Sequence, residues 1–364
     1  MKKSNKSESS RIIKVLKVIL CTLLILICVV LGYFGFLTII EYTPADIEDL
    51  SVVGDSTSSI STNDEITIVS WNIGYGALGN NADFFMDGGK SVYSSKKERV
   101  QQNLTAISDF INEQNPDIAL LQEVDIDSSR SYHINQAERI LQDTKLNSYT
   151  YATNYQCFYV PYPVPPIGKT EGGLVTLSNY DLNNSQRYSL PCPFSWPIRL
   201  GNLKRCMNMS RIPLENSDAE LIIFNFHLEA YDDGTGKIEQ TKKVKEILRE
   251  EAAKGNYVIA GGDFNQTFDF IPEEKVKVKY DTWEPGIIEA GDFSPEFNVY
   301  MDDAAPSCRS LDKPYENCPK DNMQYYYIDG FVVSSNIEVE NFNVVDLDFV
   351  NADHNPVVIK IKLQ

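Results

Sequence analysis

Polar side chains that can bind a metal ion or move a proton recur at the ends of apolar segments in this sequence. Six segment ends carry such groups: Asn72, Gln122 with Glu123, His227, Asp263 with Asn265, Asp329, and Asp353 with His354. The set is rich in carboxylate and amide oxygens, which suit Mg²⁺ or Mn²⁺ better than a zinc ion held by thiolates. If these groups converge, they can hold a divalent cation and activate a water molecule.

Two of the three histidines in the chain belong to this set, and His354 is the stronger candidate for acid–base chemistry. It follows Asp353, and Asp329 lies at another segment end, so a carboxylate can orient the imidazole. Taken singly, an Asp or Asn at a strand end is more typical of a turn or a cap. The recurrence of such groups is what favours one shared cleft over several independent turns.

Apolar periodicity predicts the elements that must position these groups. Strands are predicted at residues 65–71, 118–122, 173–177, 205–213, 220–226, 257–260, 326–333 and 357–363, and helices at residues 97–111, 135–143 and 237–253. Strands outnumber helices, and several strands follow one another directly. This order favours two packed sheets with flanking helices over a barrel of strict strand–helix repeats. Strand ends on one edge of such a fold can line one cleft.

The N-terminal region is predicted to be a membrane anchor. Residues 18–40 are 23 consecutive residues without a charge, which is long enough for a helix to cross a bilayer. No Ala-x-Ala cleavage pattern follows, so an uncleaved transmembrane helix is favoured over a cleaved signal peptide or a buried core helix. Residues 1–17 carry a formal charge of +5. The positive-inside rule therefore predicts a single-pass cell-membrane protein with a cytoplasmic N-terminus and an extracellular remainder.

The rest of the chain is strongly acidic. The formal net charge is −18, which leaves −23 for residues 18–364. That charge excludes a sequence-independent nucleic-acid-binding protein that works by neutralising many phosphates. It does not exclude an enzyme that binds a few phosphates through a metal ion. With 43% hydrophobic residues, the chain can bury a large core, so disorder over its whole length is excluded. Residues 41–64 lack periodicity and are predicted to be a flexible linker to one domain, residues 65–364.

Cysteines and aromatic residues leave alternatives open. Of the five cysteines beyond the apolar segment, Cys192 with Cys206 and Cys308 with Cys318 could each close a short loop, and Cys157 would stay free. Residues 155–167 and 191–197 are dense in aromatics and proline. They are interpreted first as rigid surface loops, and alternatively as a hydrophobic rim for a lipid headgroup or a membrane surface.

The candidate residues stand in motifs that resemble those of a known superfamily. The motifs are Ser-Trp-Asn72, Leu-Gln-Glu123-Val, Gly262-Asp263-Phe-Asn265, Ile-Asp329-Gly and Ala-Asp353-His354-Asn-Pro356. In kind and order they resemble the endonuclease/exonuclease/phosphatase superfamily, the DNase I-like fold, across residues 65–364. The resemblance implies a four-layer α/β sandwich, with two β-sheets packed face to face and helices outside. It also implies a divalent metal, usually Mg²⁺, and hydrolysis of a phosphoester by an activated water.

The same resemblance implies a role for each matched residue. Glu123 is similar to the main metal carboxylate, with Asn72 and Asp353 near the metal and the phosphate. His354 resembles either the base or an imidazole that contacts phosphate, and Asp329 would hold it.

Four further roles are implied. Asp263 and Asn265 resemble the pair that handles the attacking water and the phosphoryl oxygens. His227 resembles a second histidine of the DNase, sphingomyelinase and phosphodiesterase branches and, with Asn265, would bind substrate. Glu171 precedes a segment similar to the central strand of the family and is expected to orient His227.

Together these features predict a divalent-metal-dependent phosphoesterase, foremost a phosphodiesterase, displayed on the outer face of the membrane. Its substrate could be a phospholipid headgroup, a nucleic acid or a small phosphodiester, and no obligate protein partner is evident. The alternatives are a membrane-anchored extracellular endonuclease, a sphingomyelinase-like phospholipid hydrolase and an inactive binding protein. The acidic charge argues against a nuclease, and the complete residue set argues against an inactive protein.

Overall fold

A computed structural model describes residues 2–61, 64–182, 184–278 and 283–363. In these residues the strands are β1 (Ile47–Asp49), β2 (Val52–Gly54), β3 (Glu65–Asn72), β4 (Ile118–Asp125), β5 (Ser148–Val160), β6 (Gly168–Ser178), β7 (Asn184–Ser189), β8 (Cys206–Pro213), β9 (Glu220–His227), β10 (Tyr257–Asp263), β11 (Gln266–Phe268), β12 (Gly286–Ile288), β13 (Phe297–Tyr300), β14 (Cys308–Arg309), β15 (Tyr325–Tyr326), β16 (Asp329–Ser334), β17 (Ile337–Val344) and β18 (Val357–Leu363).

The helices are α1 (Lys2–Ile39), α2 (Lys97–Gln114), α3 (Gln136–Asp143), α4 (Thr235–Ala252) and the short α5 (Glu273–Val276). Helices α2, α3 and α4 begin and end close to the predicted residues, whereas α1 begins well before residue 18 and α5 was not predicted. Helix α2 ends at Asn115, which adopts a left-handed conformation directly before a proline. The side chain of Asn135 caps α3 by accepting a hydrogen bond from the backbone N–H of Glu138.

Two seven-stranded sheets form the body of the molecule. The first has the strand order β17-β18-β3-β4-β6-β5-β2, and the second has the order β1-β7-β8-β9-β10-β16-β13. Their inner faces share one apolar cluster, in which Ile68 and Leu120 of the first sheet pack with Ile259 and Phe331 of the second. Separate apolar clusters cover the outer faces, with α2 and α3 on the first sheet and α4 on the second. The predicted four-layer sandwich is therefore confirmed.

A buried amide pair connects the two sheets below the strand ends. Gln122 Nε2 donates to Asn225 Oδ1 at 2.8 Å, and Asn225 Nδ2 donates to the carbonyl oxygens of Leu121 and Val175. Both amide side chains are fully buried. Because an unpaired buried amide is costly, these bonds favour one alignment of the two sheets.

Helix α1 suits a membrane crossing by length and composition. Its segment Ser10–Ile39 has 30 residues, and the most apolar 18-residue window within it has a mean hydropathy of 3.0. None of its most apolar window is buried, so the interpretation as a core helix is wrong. Only its last turns meet the domain, where Leu37 packs with Cys157 and Leu200.

The prediction of a flexible linker at residues 41–64 is wrong for much of that segment. Strand β1 pairs antiparallel with β7, and β2 pairs antiparallel with β5, so each extends an edge of one sheet. Ile60 is fully buried in the apolar cluster between the sheets. Short strands of this kind carry little periodicity and form because a sheet edge offers backbone partners. Residues 62 and 63 lie outside the described residues.

The expected disulfides do not form. All seven cysteines have free thiols, and the two proposed pairs differ in environment. Cys206 is buried beside Ala152 and Leu174, whereas Cys192 is exposed. Cys308 is buried beside Tyr326 and Ile328, so neither buried thiol faces its supposed partner.

Gly262 allows β9 and β10 to approach each other at the end of the second sheet. It has φ +153°, and a Cβ there would lie 2.0 Å from the carbonyl oxygen of Phe226. A side chain at this position would push the neighbouring strand and the following Asp263 out of place.

We expect Gly262→Ala to destabilise the full-length protein in detergent, because the methyl group meets backbone that cannot move aside. The cost should be about 2–3 kcal/mol, which lowers Tm by roughly 5 °C or more. Gly291→Ala is the matched control, since a Cβ there meets no heavy atom within 4 Å. Equal Tm values for the two variants in a thermal unfolding assay would contradict this role of Gly262.

Candidate active site

Strand pairing brings the predicted residues to one end of the sandwich. In the first sheet β3 and β4 are parallel, with Asn72 opposite Gln122. In the second sheet β9 and β10 are parallel, with His227 opposite Asp263, and the antiparallel β16 begins at Asp329 beside Asp263. Along β10 and β16, alternation places Asp263 and Asp329 on the face that carries Ile259 and Phe331 deeper in the core.

A cleft of about 540 Å³ opens at this end. Six of the predicted site residues line it: Glu123, His227, Asp263, Asn265, Asp353 and His354. Asn72 and Asp329 lie behind them and bond to lining residues. The structure therefore brings eight of the nine predicted residues together.

Glu123 reaches the cleft through an irregularity in β4. The pairing of β4 with β6 shifts between Leu121 and Val124, and both of these side chains pack on the outer face of the sheet. Glu123 is the extra residue of this bulge and has φ +54°. A left-handed conformation costs a non-glycine residue about 1–3 kcal/mol and is typical of functional sites. Here it turns a carboxylate toward the cleft.

Asp263 is the centre of a buried polar network. Its Oδ2 accepts a hydrogen bond from Asn72 Nδ2 at 3.0 Å, and its Oδ1 accepts one from the backbone N–H of Asn265 at 2.8 Å. His227 Nε2 lies 3.4 Å from the same Oδ2. Burial, and then the charge of Asp329, raise the pKa of Asp263 to about 7. Asp263 can therefore accept a proton near neutral pH.

His354 and Asp329 form a buried pair. Asp329 Oδ2 lies 2.8 Å from His354 Nδ1, and His354 Nε2 faces Asp263 Oδ2 at 3.8 Å. The backbone oxygen of His354 accepts a hydrogen bond from the indole N–H of Trp71, which fixes the loop. Burial lowers the pKa of His354, but the charges of Asp329 and other neighbours outweigh it and hold the pKa well above its ordinary value. The imidazole is therefore a charged donor at neutral pH.

The structure allows a test of whether these residues fit a divalent cation. Asp353 Oδ1 is buried without a hydrogen-bond partner among the described residues. Burial raises the pKa of Asp353 to about 7, with the charge of His354 opposing the shift and that of Glu123 adding to it. Asn72 Nδ2 donates to Glu123 Oε1 at 3.2 Å. Two acidic groups that line the same cleft, one of them with an unused oxygen, fit a hard cation.

The loop after β3 supports the same conclusion. Gly74 has φ +50°, and a Cβ there would lie 2.7 Å from Asp353 Oδ1. The backbone thus passes close to the unused oxygen and leaves space that a side chain would fill. A second group, Asp263, Asp329 and His354, also has ligand atoms within 4.8 Å of one another. That group is already joined by the His354–Asp329 hydrogen bond, whereas Glu123 and Asp353 are the acidic groups that could hold a cation.

Glu171 is the predicted residue that the structure separates from the site. Its carboxylate lies 3.1 Å from Lys169 Nζ and does not line the cleft. His227 Nδ1 is buried without a partner in the described chain, so the expectation that Glu171 orients His227 is wrong. Burial, helped by Arg205, lowers the pKa of His227 well below its ordinary value, which makes the ring neutral at pH 7.

Sequence reasoning missed several polar residues that line the cleft. Arg130 binds both carboxylate oxygens of Asp125 at 3.0 Å, and its guanidinium lies 3.8 Å from the centre of the Tyr75 ring. Tyr231 donates its hydroxyl to Asp87 at 3.0 Å. These residues stand in loops without periodicity. Only the position of Arg130 shortly after a site strand could have pointed to it.

Comparisons with known proteins agree with this geometry. The sequence model of the Endonuclease/Exonuclease/phosphatase family matches residues 69–284, which is more than half of the chain. The chain belongs to the endonuclease/exonuclease/phosphatase family. It is therefore a phosphoester hydrolase in general terms. No curated protein sequence matches this family member.

Three solved structures of similar fold illustrate the family. An endonuclease/exonuclease/phosphatase from Beutenbergia cavernae has a TM-score of 0.56 and 16% identity, covering 82% of this chain and 72% of that chain. A mannosyl-6-phosphatase from Bacteroides thetaiotaomicron has a TM-score of 0.51 and 15% identity, with 81% and 99% covered. The human Nocturnin catalytic domain with bound sulfate has a TM-score of 0.51 and 14% identity, with 86% and 97% covered. At these identities the likeness concerns the fold alone.

Proposed function

We propose that this protein is a divalent-cation-dependent phosphodiesterase displayed on the outer face of a membrane. One observation carries the proposal: a buried His354–Asp329 pair and two acidic groups, Glu123 and Asp353, face one cleft. The first pair suits transfer of charge and protons, and the second suits a hard cation. Phosphoester hydrolysis needs both, because negative charge on the phosphoryl oxygens must be offset while water attacks phosphorus.

Glu123 and Asp353 would hold the cation, and Asn72 would keep Glu123 in place. A Mg²⁺ or Mn²⁺ ion, when bound, supplies positive charge to the phosphoryl and leaving oxygens. The protein groups perform the remaining work. Asp263 accepts the proton of the attacking water, and Asn265 holds the backbone turn that aims Asp263, since its own N–H binds Oδ1. Of the two roles considered for His354, the charged donor to a phosphoryl oxygen is favoured over the base.

The reaction is a simple displacement. A bond forms between the water oxygen and phosphorus, and one P–O ester bond breaks. The departing oxygen keeps the bonding electrons and takes a proton, so the products are a phosphomonoester and an alcohol. Neutral His227, which lies within 3.4 Å of Asp263, is placed to bind substrate or to return that proton.

The charge distribution in the cleft argues against the nuclease alternative. Three arginines line the cleft, and each already has protein partners in the described chain. Arg130 binds Asp125, Arg205 lies 3.6 Å from Glu229, and Arg309 donates to the carbonyl oxygens of Gly79 and Ser310. A nucleic-acid groove usually offers free cationic side chains along the backbone path.

We expect EDTA to abolish turnover of bis-nitrophenyl phosphate and Mg²⁺ or Mn²⁺ to restore it. Glu123→Gln should weaken Mn²⁺ binding at least about tenfold in isothermal titration, because one ligand charge is lost. Glu171→Gln is the matched control, since Glu171 binds Lys169 outside the cleft. Full turnover in EDTA, or equal Mn²⁺ affinity in both variants, would refute the assigned cation site.

His354→Ala and Asp329→Asn should each lower turnover by about 10²–10⁴-fold, the usual effect of losing a positioned donor. The double variant should be little worse than either single variant, because the two groups act as one unit. Steady-state kinetics of the three variants, with Glu171→Gln as a control expected within about twofold of wild type, test this. A His354→Ala enzyme of nearly normal turnover would remove His354 from the mechanism.

The proposed topology places residues 1–17 in the cytoplasm and the catalytic domain outside. Protease added to intact cells should therefore remove the catalytic domain and leave a membrane-bound N-terminal fragment. Detection with tags at both ends of the chain is the measurement. Complete protection of the domain, or its release into the medium by cleavage after α1, would contradict the topology.

A further inference from the structure

A set of exposed apolar side chains lies on the two segments that contact the last turns of α1. We call it the collar and define it by six residues: Phe158, Tyr159, Tyr162, Val164, Trp196 and Ile198. Their exposed fractions range from 40% for Tyr159 to 93% for Val164. They come from two segments that are distant in sequence, and exposed apolar residues grouped in this way usually mark an interaction surface.

The collar contacts the last turns of the apolar helix. The indole N–H of Trp196 donates to Thr38 Oγ1 at 3.0 Å, and the rings of Phe36 and Phe158 are 5.4 Å apart. The Tyr33 hydroxyl donates to the backbone oxygen of Tyr159. These residues of α1 lie at the end of the segment that would span the bilayer. Tryptophan and tyrosine at such a position belong in the interfacial layer of the membrane.

An ion-pair cluster next to the collar fixes this arrangement. Glu41 lies two residues after the end of α1, and its carboxylate lies 3.0 Å from Lys204 Nζ and 3.2 Å from Arg199 Nε. The Glu41 side chain is only 6% exposed, so the end of the helix is bound to the domain rather than joined by a free tether. A membrane that holds α1 therefore also sets the distance between the collar and the bilayer.

The same two segments form the mouth of the cleft. Val160, Tyr162 and Ile167 line the cleft next to Gly201 and Leu203, and a Cβ at Gly201 would lie 3.9 Å from Val160. Tyr162 takes part in both surfaces, since it lines the cleft and is 71% exposed. The cleft therefore opens beside the surface that faces the bilayer.

We propose that the collar inserts into the interface of the bilayer spanned by α1, and that the cleft accepts a lipid phosphodiester from that bilayer. This proposal rests on the proposed function for the chemistry, and on the collar for the substrate class. Water adds to phosphorus and one P–O ester bond breaks, giving a phosphomonoester and an alcohol, one of which keeps the acyl chains. The three arginines of the cleft already have protein partners, so the cleft fits a diester with one negative charge better than a polyanion.

The first test compares two substrates in the full-length protein reconstituted in nanodiscs with Mg²⁺. Phosphatidylcholine, sphingomyelin or phosphatidylglycerol in the disc is the lipid diester, and bis-nitrophenyl phosphate is the soluble one. The variant Val164→Ser/Ile198→Ser removes two collar side chains that are 93% and 61% exposed. We expect it to lower lipid turnover about tenfold and to leave soluble turnover within about twofold, because only apolar insertion is lost.

The matched control is Ile238→Ser/Ile287→Ser, whose side chains are 65% and 67% exposed on α4 and β12. It should leave both activities unchanged. Equal loss in both double variants, or wild-type activity on the soluble diester without activity on any disc lipid, would overturn the lipid proposal. Absence of activity on every diester would instead contradict the proposed function.

The second test measures contact between the collar and the membrane and does not depend on enzymatic turnover. The chain has three tryptophans, and Trp196 is the one that is largely exposed. Brominated phosphatidylcholine in the disc should quench the fluorescence component that Trp196→Phe removes. An unquenched component would overturn the membrane contact and would point to a protein partner on the collar.

Discussion

The burial of carboxylates at one end of the sandwich is the constraint on which the site depends. Asp263, Asp329 and Asp353 are each at most 6% exposed, and Glu123 faces them. Burying an unpaired carboxylate is unfavourable unless it gains a proton, a hydrogen bond or a counter-charge. His354 supplies one positive charge, and Asn72 supplies two hydrogen bonds. The remaining negative charge is the physical reason to expect a cation. Because buried charge is unfavourable, this cluster does not serve the stability of the fold alone.

This constraint also explains why the site could be found in the sequence. The site residues lie at or near the ends of strongly apolar strands, and for Asp263 and Asp329 alternation places the side chain on the inner face at the end of the sheet. Asp263, for example, continues the inward series of Ile259 and Gly261. The order of the motifs then identified the fold, because two packed sheets are the arrangement that brings those ends together. The features of the fold and the site that follow from repeated local patterns were therefore predictable from the sequence.

What the sequence did not show depends on tertiary partners. The bulge at Glu123 has no signal of its own, because Leu-Gln-Glu-Val is equally compatible with a regular strand. Strands β1 and β2 form because β7 and β5 offer backbone partners at the sheet edges. Each of these two strands has only three residues, which is too short for an alternating apolar pattern. Glu171 stands beside a site strand, yet its carboxylate binds Lys169, and no spacing rule could have distinguished that outcome from contact with His227.

Family membership fixes the chemistry more firmly than the substrate, and the difference has a structural cause. The strand ends of the two sheets set the floor of the cleft, whereas loops build its mouth, and loops vary among proteins that share a fold. In this chain the loops at the mouth also hold the end of α1 through Glu41. A tethered enzyme on a flexible linker could turn its cleft toward any soluble substrate. With the proposed anchor bonded to the rim of its cleft, the enzyme could not turn away from the membrane, and its substrate would have to reach the interface.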